Sequence, residues 1–367
     1  MNKLIPDNPL IKLFRSELLS MSAYKVADAK NMIKLDAMEN PYSWPETIQQ
    51  QWLETLKTCA INRYPDPEAK TLCEVLCSSN GLPENASLLL GNGSDEIIQI
   101  LLMALAPGAY IIAPEPSFVM YRQIAQSLGL NYRGVPLLAE SFDLDLSTML
   151  STVNELKPAL IFLAYPNNPT GNLFDAAAIK SIIASSPGLV VIDEAYAPFA
   201  DASFIEHLAN FNNVLVMRTV SKLGLAGLRL GFLIGAPALL EQLHKLRLPY
   251  NINCLTQATA TFALNNADFL KRQTQSIRQE RHLVFTALQA MDKIKPYPSS
   301  ANFILFKTLG VKADHVFNAL KQQGVLIKNM SQQGGILENC LRVTIGKPLE
   351  NQAFLTALQA ALMMDEH

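Results

Sequence analysis

Leu189-Val190-Val191-Ile192-Asp193-Glu194-Ala195-Tyr196 is an apolar run that ends abruptly in two carboxylates. It is apolar throughout rather than alternating, the pattern of a strand covered on both faces. Similar runs stand on either side of it, at 88–90, 110–113, 160–164, 214–218 and 230–234. Amphipathic stretches at 95–106, 117–128, 175–185 and 237–247 lie between them. Strand and helix in alternation predict an α/β layer with a mainly parallel sheet. Beyond Pro249 the pattern changes. One long or kinked helix over 256–291, strands at 302–307, 325–328 and 340–345, and helices near 313–323 and 349–363 predict a smaller α+β domain. Three parts are therefore expected. Residues 1–44 are too few for a domain and should pack on the small domain or on a partner subunit. Residues 45–249 form a large domain, and 250–367 a small C-terminal one.

Composition narrows the function. The 367 residues are 49% hydrophobic and 17% charged, which excludes a disordered chain. Lys and Arg total 30 against 32 Asp and Glu, so a net charge of −2 offers no footprint for nucleic acid. The cysteines, at 59, 73, 77, 254 and 340, are odd in number and form no CxxC pair. A disulfide framework and a cysteine zinc site are both disfavoured, the histidines do not cluster, and no metal is expected. The first residues lack the apolar core and cleavage site of a secretory signal, so a cytoplasmic protein is expected. Residues 97–114 run 18 positions without a charge, but Pro107-Gly108 divides them into a helix and a strand. Neither half can cross about 30 Å of hydrocarbon, so no membrane span is expected.

Four segments carry chemistry. In Arg218-Thr219-Val220-Ser221-Lys222-Leu223-Gly224-Leu225-Ala226-Gly227-Leu228-Arg229, a lysine follows two hydroxyl residues at the end of an apolar strand. Most lysines are solvated surface charges. Among small, apolar and hydroxyl residues an ammonium is poorly placed, and desolvation would make the amine nucleophilic towards an aldehyde. Ser221, Thr219 and Arg229 can hold a phosphate beside it. An aldehyde and a phosphate on one cofactor mean pyridoxal 5′-phosphate (PLP). Asp193 ends its strand where ligands bind in open α/β sheets, and a buried carboxylate there needs a cation such as a protonated pyridine nitrogen. Tyr165-Pro166-Asn167-Asn168-Pro169-Thr170-Gly171 holds an amide between prolines, so Asn168 and Tyr196 can both bond the ring oxygen. Gly91-Asn92-Gly93-Ser94-Asp95-Glu96 reads as a glycine turn opening a helix with Ser94 as N-cap, where free N–H groups suit a phosphate. A plain capped helix reads the same way, and its acidic first turn does not favour an anion. The turn lacks both GxGxxG and a P-loop lysine, against a nucleotide.

These residues resemble the histidinol-phosphate aminotransferase family of the class II PLP-dependent aminotransferases. The quoted segments recur in the family's order, together with Glu39-Asn40-Pro41, Arg63-Tyr64-Pro65-Asp66 and Cys340-Leu341-Arg342-Val343-Thr344-Ile345-Gly346, and they span about residues 24–346. The resemblance implies the PLP-dependent transferase fold (aspartate-aminotransferase-like) and transamination between histidinol phosphate and 2-oxoglutarate, giving imidazole acetol phosphate and glutamate, in histidine biosynthesis. It implies that Lys222 carries the cofactor and shuttles the proton, that Asp193 pairs with the pyridine nitrogen, and that Asn168 and Tyr196 bond the ring oxygen. Tyr121 is expected to stack on the ring. Backbone groups of Ser94 and Asp95, with Thr219, Ser221 and Arg229, are expected to hold the phosphate. Tyr64 is expected to reach the phosphate of a neighbouring subunit, which makes the site a property of a homodimer. Arg342, Lys328, Tyr24 and Asn40 are the expected substrate contacts, with Arg342 taking the glutamate carboxylate or the substrate phosphate.

Two departures stand out. Lys222 and Arg229 are seven positions apart, one fewer than in many members, so whether Arg229 reaches the phosphate is open at the level of sequence. Lys328 stands where many relatives have arginine, a point charge in place of a fork. The alternatives are an aromatic or other amino-acid aminotransferase and a threonine-phosphate decarboxylase. A PLP-binding regulatory domain is disfavoured, because the chain has no basic N-terminal extension and keeps the lysine, the aspartate and the asparagine.

Overall fold

The computed structural model describes residues 9–23 and 27–363. The chain starts with α1 (Ser16–Ser20), β1 (Ile33–Lys34), α2 (Glu46–Leu56) and α3 (Lys70–Asn80). The large body continues with β2 (Ser87–Gly91), α4 (Ser94–Met103), β3 (Tyr110–Glu115), α5 (Met120–Ser127), β4 (Asn131–Pro136), α6 (Leu146–Leu156) and β5 (Leu160–Ala164). It closes with α7 (Ala176–Ser185), β6 (Leu189–Asp193), β7 (Val214–Thr219), β8 (Gly231–Gly235), α8 (Pro237–His244) and α9 (Cys254–Asn265). The smaller body holds α10 (Asp268–Gln289), β9 (Ile294–Pro296), β10 (Phe303–Thr308), α11 (Ala313–Gln322), β11 (Val325–Leu326), β12 (Lys328–Asn329), β13 (Cys340–Thr344) and α12 (Pro348–Met363).

The central sheet has seven strands in the order β2-β8-β7-β6-β5-β3-β4. All run parallel except β8, which is antiparallel to both β2 and β7. The chain passes from β3 outward to β4 and then returns to the other side of β3 as β5. That reversal opens a crevice at the carboxyl ends of the strands. The apolar runs are continuous because alternate residues feed two cores. Ile161, Leu163, Val190, Ile192 and Val216 pack on one face, and Leu160, Phe162, Val191, Leu215 and Met217 on the other. The same parity sends Asp193 and Thr219 towards α4 and α5, and sends Glu194 and Arg218 to the opposite face. There Arg218, partly buried, donates to the buried Glu194 at 2.7 Å.

The strand β4 and the helices α2, α3 and α6 were not expected from the sequence. The strand β4 is an edge strand whose residues are mostly exposed or half-buried, so no apolar run marks it. The helix α2 buries no residue fully, and α3 only Leu72 and Leu76, which leaves a faint stripe. The stretch expected as one long helix is two, α9 and α10, separated at Asn266-Ala267. Asn253 caps α9 by accepting from Thr256 N at 2.9 Å.

The smaller body is an antiparallel sheet, β12-β13-β10-β9, covered by α10, α11 and α12. The strand β1 pairs in parallel with β11, which fixes the segment before residue 44 to this body. The helix α9 packs on α2 and α3, with Trp52 Nε1 donating to Thr259 Oγ1 at 2.9 Å. Within α10, Phe269 and Leu270 join the large core, whereas Ile277, Val284 and Leu288 join the small one. The packing partner thus changes inside α10, well after the division expected at residue 249. Among the described residues no helix is long and apolar enough to cross a membrane.

Candidate active site

A cavity of about 400 Å³ lies at the carboxyl ends of the strands and is lined by the ends of β5, β6 and β7 and the loops that follow β3, β5 and β7. Asp193, the last residue of β6, is buried at its floor. Asp193 Oδ2 accepts from the Tyr121 hydroxyl at 2.5 Å, and Oδ1 from Ala195 N at 3.1 Å. Burial pushes this carboxyl up to about 6 even though both donors pull it down. Asn168 and Tyr196 line the same wall, with Asn168 Nδ2 donating to the Tyr196 hydroxyl at 3.2 Å. Arg342, buried on β13, donates to Asn168 Oδ1 and to the Asp36 carbonyl at 3.0 Å.

Lys222 follows β7 in a single 3₁₀ turn over Ser221–Leu223. Its Nζ lies 3.4 Å from the Ala37 carbonyl and 5.8 Å from the centre of the Tyr196 ring. Burial, then the Arg342 and Arg229 charges, lower its amine to about 8, while Glu39 and Asp95 pull it back. A lysine held near neutrality in this way has an accessible free amine, which is what a nucleophile towards an aldehyde requires.

The other end of the cavity is built from backbone and hydroxyl groups. Gly93, not Ser94, is the N-cap of α4, at φ 88°, and Ser94 is the first helical residue. The expected capping by the Ser94 side chain is therefore corrected. A Cβ at Gly231 would come within 2.7 Å of Gly93 C and Ser94 N, so glycine there lets β8 approach the opening of the helix. Thr219 Oγ1 lies 2.8 Å from Ser221 Oγ and also accepts from Ser221 N at 3.1 Å. Arg229 sits at φ 50° and pairs with Asp95 at 3.2 Å, both half exposed. The two short turns and the left-handed Gly224 take up the loop, so Arg229 lines the same cavity as Ser94, Asp95, Thr219 and Ser221.

Three expected residues stand elsewhere. Tyr121 does not face the cavity; it is fully buried, with its ring stacked on Phe162 at 4.4 Å. Phe118, which carries no expected role, lines the cavity instead. The helix expected from residue 117 starts at Met120, so Phe118 lies on the preceding turn and faces the cavity, while Tyr121 turns into the sheet. Asn40 does not line this cavity: its amide donates to the Leu223 carbonyl at 3.3 Å and to Gln273 at 3.0 Å, tying the N-terminal segment to the loop after Lys222. Its neighbours Ala37, Met38 and Glu39 line the cavity instead, the first two unmarked by any quoted motif. Tyr64 is 81% exposed and stacks on Tyr250 at 4.4 Å, away from this cavity. Lys328 lies directly opposite Arg342 in the strand register, so both side chains project from the same face of the small sheet. Tyr24 lies outside the described residues.

The donor set fits a flat phosphorylated aldehyde. One end offers a buried carboxylate whose described donors are neutral, so a cationic ring nitrogen is the partner it lacks. The middle offers a desolvated amine. The far end offers two hydroxyls, a guanidinium and the opening of a ten-residue helix. PLP carries the complementary groups in that order.

Sequence comparison agrees with this reading of the donors. The family model described as aminotransferase class I and II matches residues 30–358. A histidinol-phosphate aminotransferase 2 of Nitrosococcus oceani is 54% identical over 347 residues, covering 94% of this chain and 96% of that one. Another from Cupriavidus pinatubonensis is 48% identical, covering 98% and 99%. Among solved structures, the histidinol-phosphate aminotransferase of Sinorhizobium meliloti in complex with pyridoxal-5′-phosphate is similar in fold, with TM-score 0.83, 23% identity and coverage of 95% and 97%.

Proposed function

Because the chain belongs to the class I and II aminotransferases and, within them, to the histidinol-phosphate aminotransferase family, we propose that it moves an amino group between histidinol phosphate and 2-oxoglutarate. The products are imidazole acetol phosphate and glutamate, a step of histidine biosynthesis. The observation that carries this reading is a single cavity joining a desolvated Lys222, a buried Asp193 and a hydroxyl-lined end at the start of α4. Bound there, PLP supplies an aldehyde that bonds amines and a ring that accepts electrons from the substrate α-carbon.

The chain's own residues do the rest. Asp193 would hold the ring nitrogen protonated by charge pairing. Asn168 and Tyr196 would hold the ring oxygen, and Phe118 would wall the ring from one side. Ser94 and Asp95 N–H groups, with Thr219, Ser221 and Arg229, would anchor the phosphate. Lys222 Nζ would take the proton from the substrate α-carbon and return it to the cofactor's aldehyde carbon, on the far side of the transferred nitrogen, a transfer that its lowered proton affinity favours near neutral pH. Arg342 would hold the carboxylate of glutamate in one half-reaction and the phosphate of histidinol phosphate in the other, with Lys328 beside it on the same face. The two substrates take turns at one site, so the kinetics should be ping-pong.

The same reading makes the protein a cytoplasmic homodimer in which Tyr64 reaches the partner's cofactor phosphate. The exposure of Tyr64 and its stacking on Tyr250 at the surface support this. Adding glutamate to the cofactor-loaded protein should bleach its visible absorbance, and histidinol phosphate should do the same. Bleaching by neither, or release of carbon dioxide from threonine phosphate, would overturn the assignment.

A further inference from the structure

Tyr121 has no part in the chemistry above, yet it is bound to that chemistry by its hydroxyl. Its ring lies parallel to Phe162 of β5, 4.4 Å between centroids and 1° between planes, and Phe118 meets it edge-on at 5.5 Å. Held between a sheet residue and the cavity wall, the ring has one direction in which to point its O–H. That direction is Asp193 Oδ2, 2.5 Å away, while Ala195 N occupies Oδ1. We propose that Tyr121 is a positioning residue whose hydrogen bond keeps the Asp193 carboxylate ionised and fixed for the ring nitrogen of the bound cofactor. The proposal rests on the PLP reading of the cavity.

The groups facing Asp193 make this contact consequential. Burial drives its carboxyl up, and the charges of Asp95 from α4 and Glu194 from its own strand end add to that. The Tyr121 hydrogen bond is the largest pull in the other direction, followed by the Ala195 N–H. Tyr196 stands on the cavity side and Tyr132 of β4 stands near Tyr121. The Tyr121 phenol, raised well above its usual range by burial and by Asp193, stays protonated and therefore remains a donor. Without it, Asp193 would take up a proton at higher pH, and a protonated carboxyl cannot pair with a cationic ring.

Tyr121→Phe removes the donor and keeps the ring that packs on Phe162. The apoprotein, its Tyr121→Phe variant and its Asp193→Asn variant would each be titrated with PLP across the range from acid to neutral pH. In Tyr121→Phe, cofactor binding at neutral pH should weaken roughly tenfold, the worth of a hydrogen bond to a charged group. The pH at which affinity is half lost on acidification should rise by about one unit. That midpoint does not depend on how much of the variant is folded, so a packing defect alone would leave it in place. Wild-type affinity and an unmoved midpoint in Tyr121→Phe, with weakened binding in Asp193→Asn, would overturn the role of Tyr121 and leave the cofactor assignment standing. A wild-type protein that binds no PLP, or an Asp193→Asn variant that binds it unchanged, would instead overturn the cofactor assignment itself.

Discussion

At the Asp193 end of the cavity the polar groups are buried and answered from inside the fold; at the Arg229 end the charges are half exposed and answered by each other. Asp193 has its carboxyl pushed up to about 6, chiefly by burial, and Lys222 has its amine lowered to about 8 for the same reason. The Arg229–Asp95 pair, at 3.2 Å, stands where solvent screens it. One end therefore holds charge under tension that a cofactor would relieve, while the other holds charge cheaply enough to exchange Asp95 for a phosphate. The difference follows from position: the first group sits at the foot of strands covered on both sides, the second on a loop and a helix tip.

Three substitutions test this contrast. The largest effect should come from Lys222→Ala, which removes the amine proposed both to hold the cofactor and to carry the proton. Turnover measured by amino transfer should fall by about 10⁴-fold or more, with the fold intact by circular dichroism; substantial residual turnover would remove Lys222 from the chemistry. Asp193→Asn comes next. Breaking a fully buried charge pair should weaken PLP binding by roughly 10²- to 10³-fold. The sign of its stability effect is opposite. A carboxyl whose folded value lies above its unfolded one binds more protons folded than unfolded, so its favourable contribution is present in acid and is lost as pH rises through about 6. At neutral pH the ionised Asp193 costs the apoprotein about 2–3 kcal/mol, so the Asn variant should melt higher than wild type without cofactor. An unchanged or lower melting temperature would deny the tension at this end. The smallest effect should be that of Arg229→Ala: roughly tenfold weaker PLP binding, as for one charge-assisted contact, with apoprotein stability changed by less than about 1 kcal/mol. If Arg229→Ala cost as much as Asp193→Asn in either measurement, the two ends would not differ as described.

Much of this was legible before the structure. The continuous apolar runs of β5 and β6 announced a sheet covered on both faces, and the carboxylate at the end of β6 marked where a ligand binds. Lys222 and Asp193 were picked out as charges in apolar surroundings, and Asn168, Tyr196, Thr219 and Ser221 as hydrogen-bonding groups near them; all six line one cavity. What failed to show were elements without a strong burial pattern, such as the edge strand β4 and the lightly buried α2 and α3. Tyr121 was expected at the ring and Phe118 was given no role, because the onset of α5 decides which of two aromatics three positions apart faces the cavity. Helix boundaries depend on local turn geometry that composition does not encode. The anchoring of Asn40 did not show because its partners, Leu223 and Gln273, come from distant parts of the chain.

By itself, the sequence determined the α/β layering and the family, and it singled out the lysine and the carboxylate on which the proposed chemistry rests. Those rest on local pattern: a strand's period, a charge at its end, a motif of fixed spacing. The tertiary structure alone decided which side chain walls the cavity, how far α10 belongs to each core, and that a phenol stands behind Asp193. Contacts of this kind join residues many positions apart, Tyr121 and Asp193 among them, and only the packing of α5 against β5 and β6 brings them within hydrogen-bonding distance.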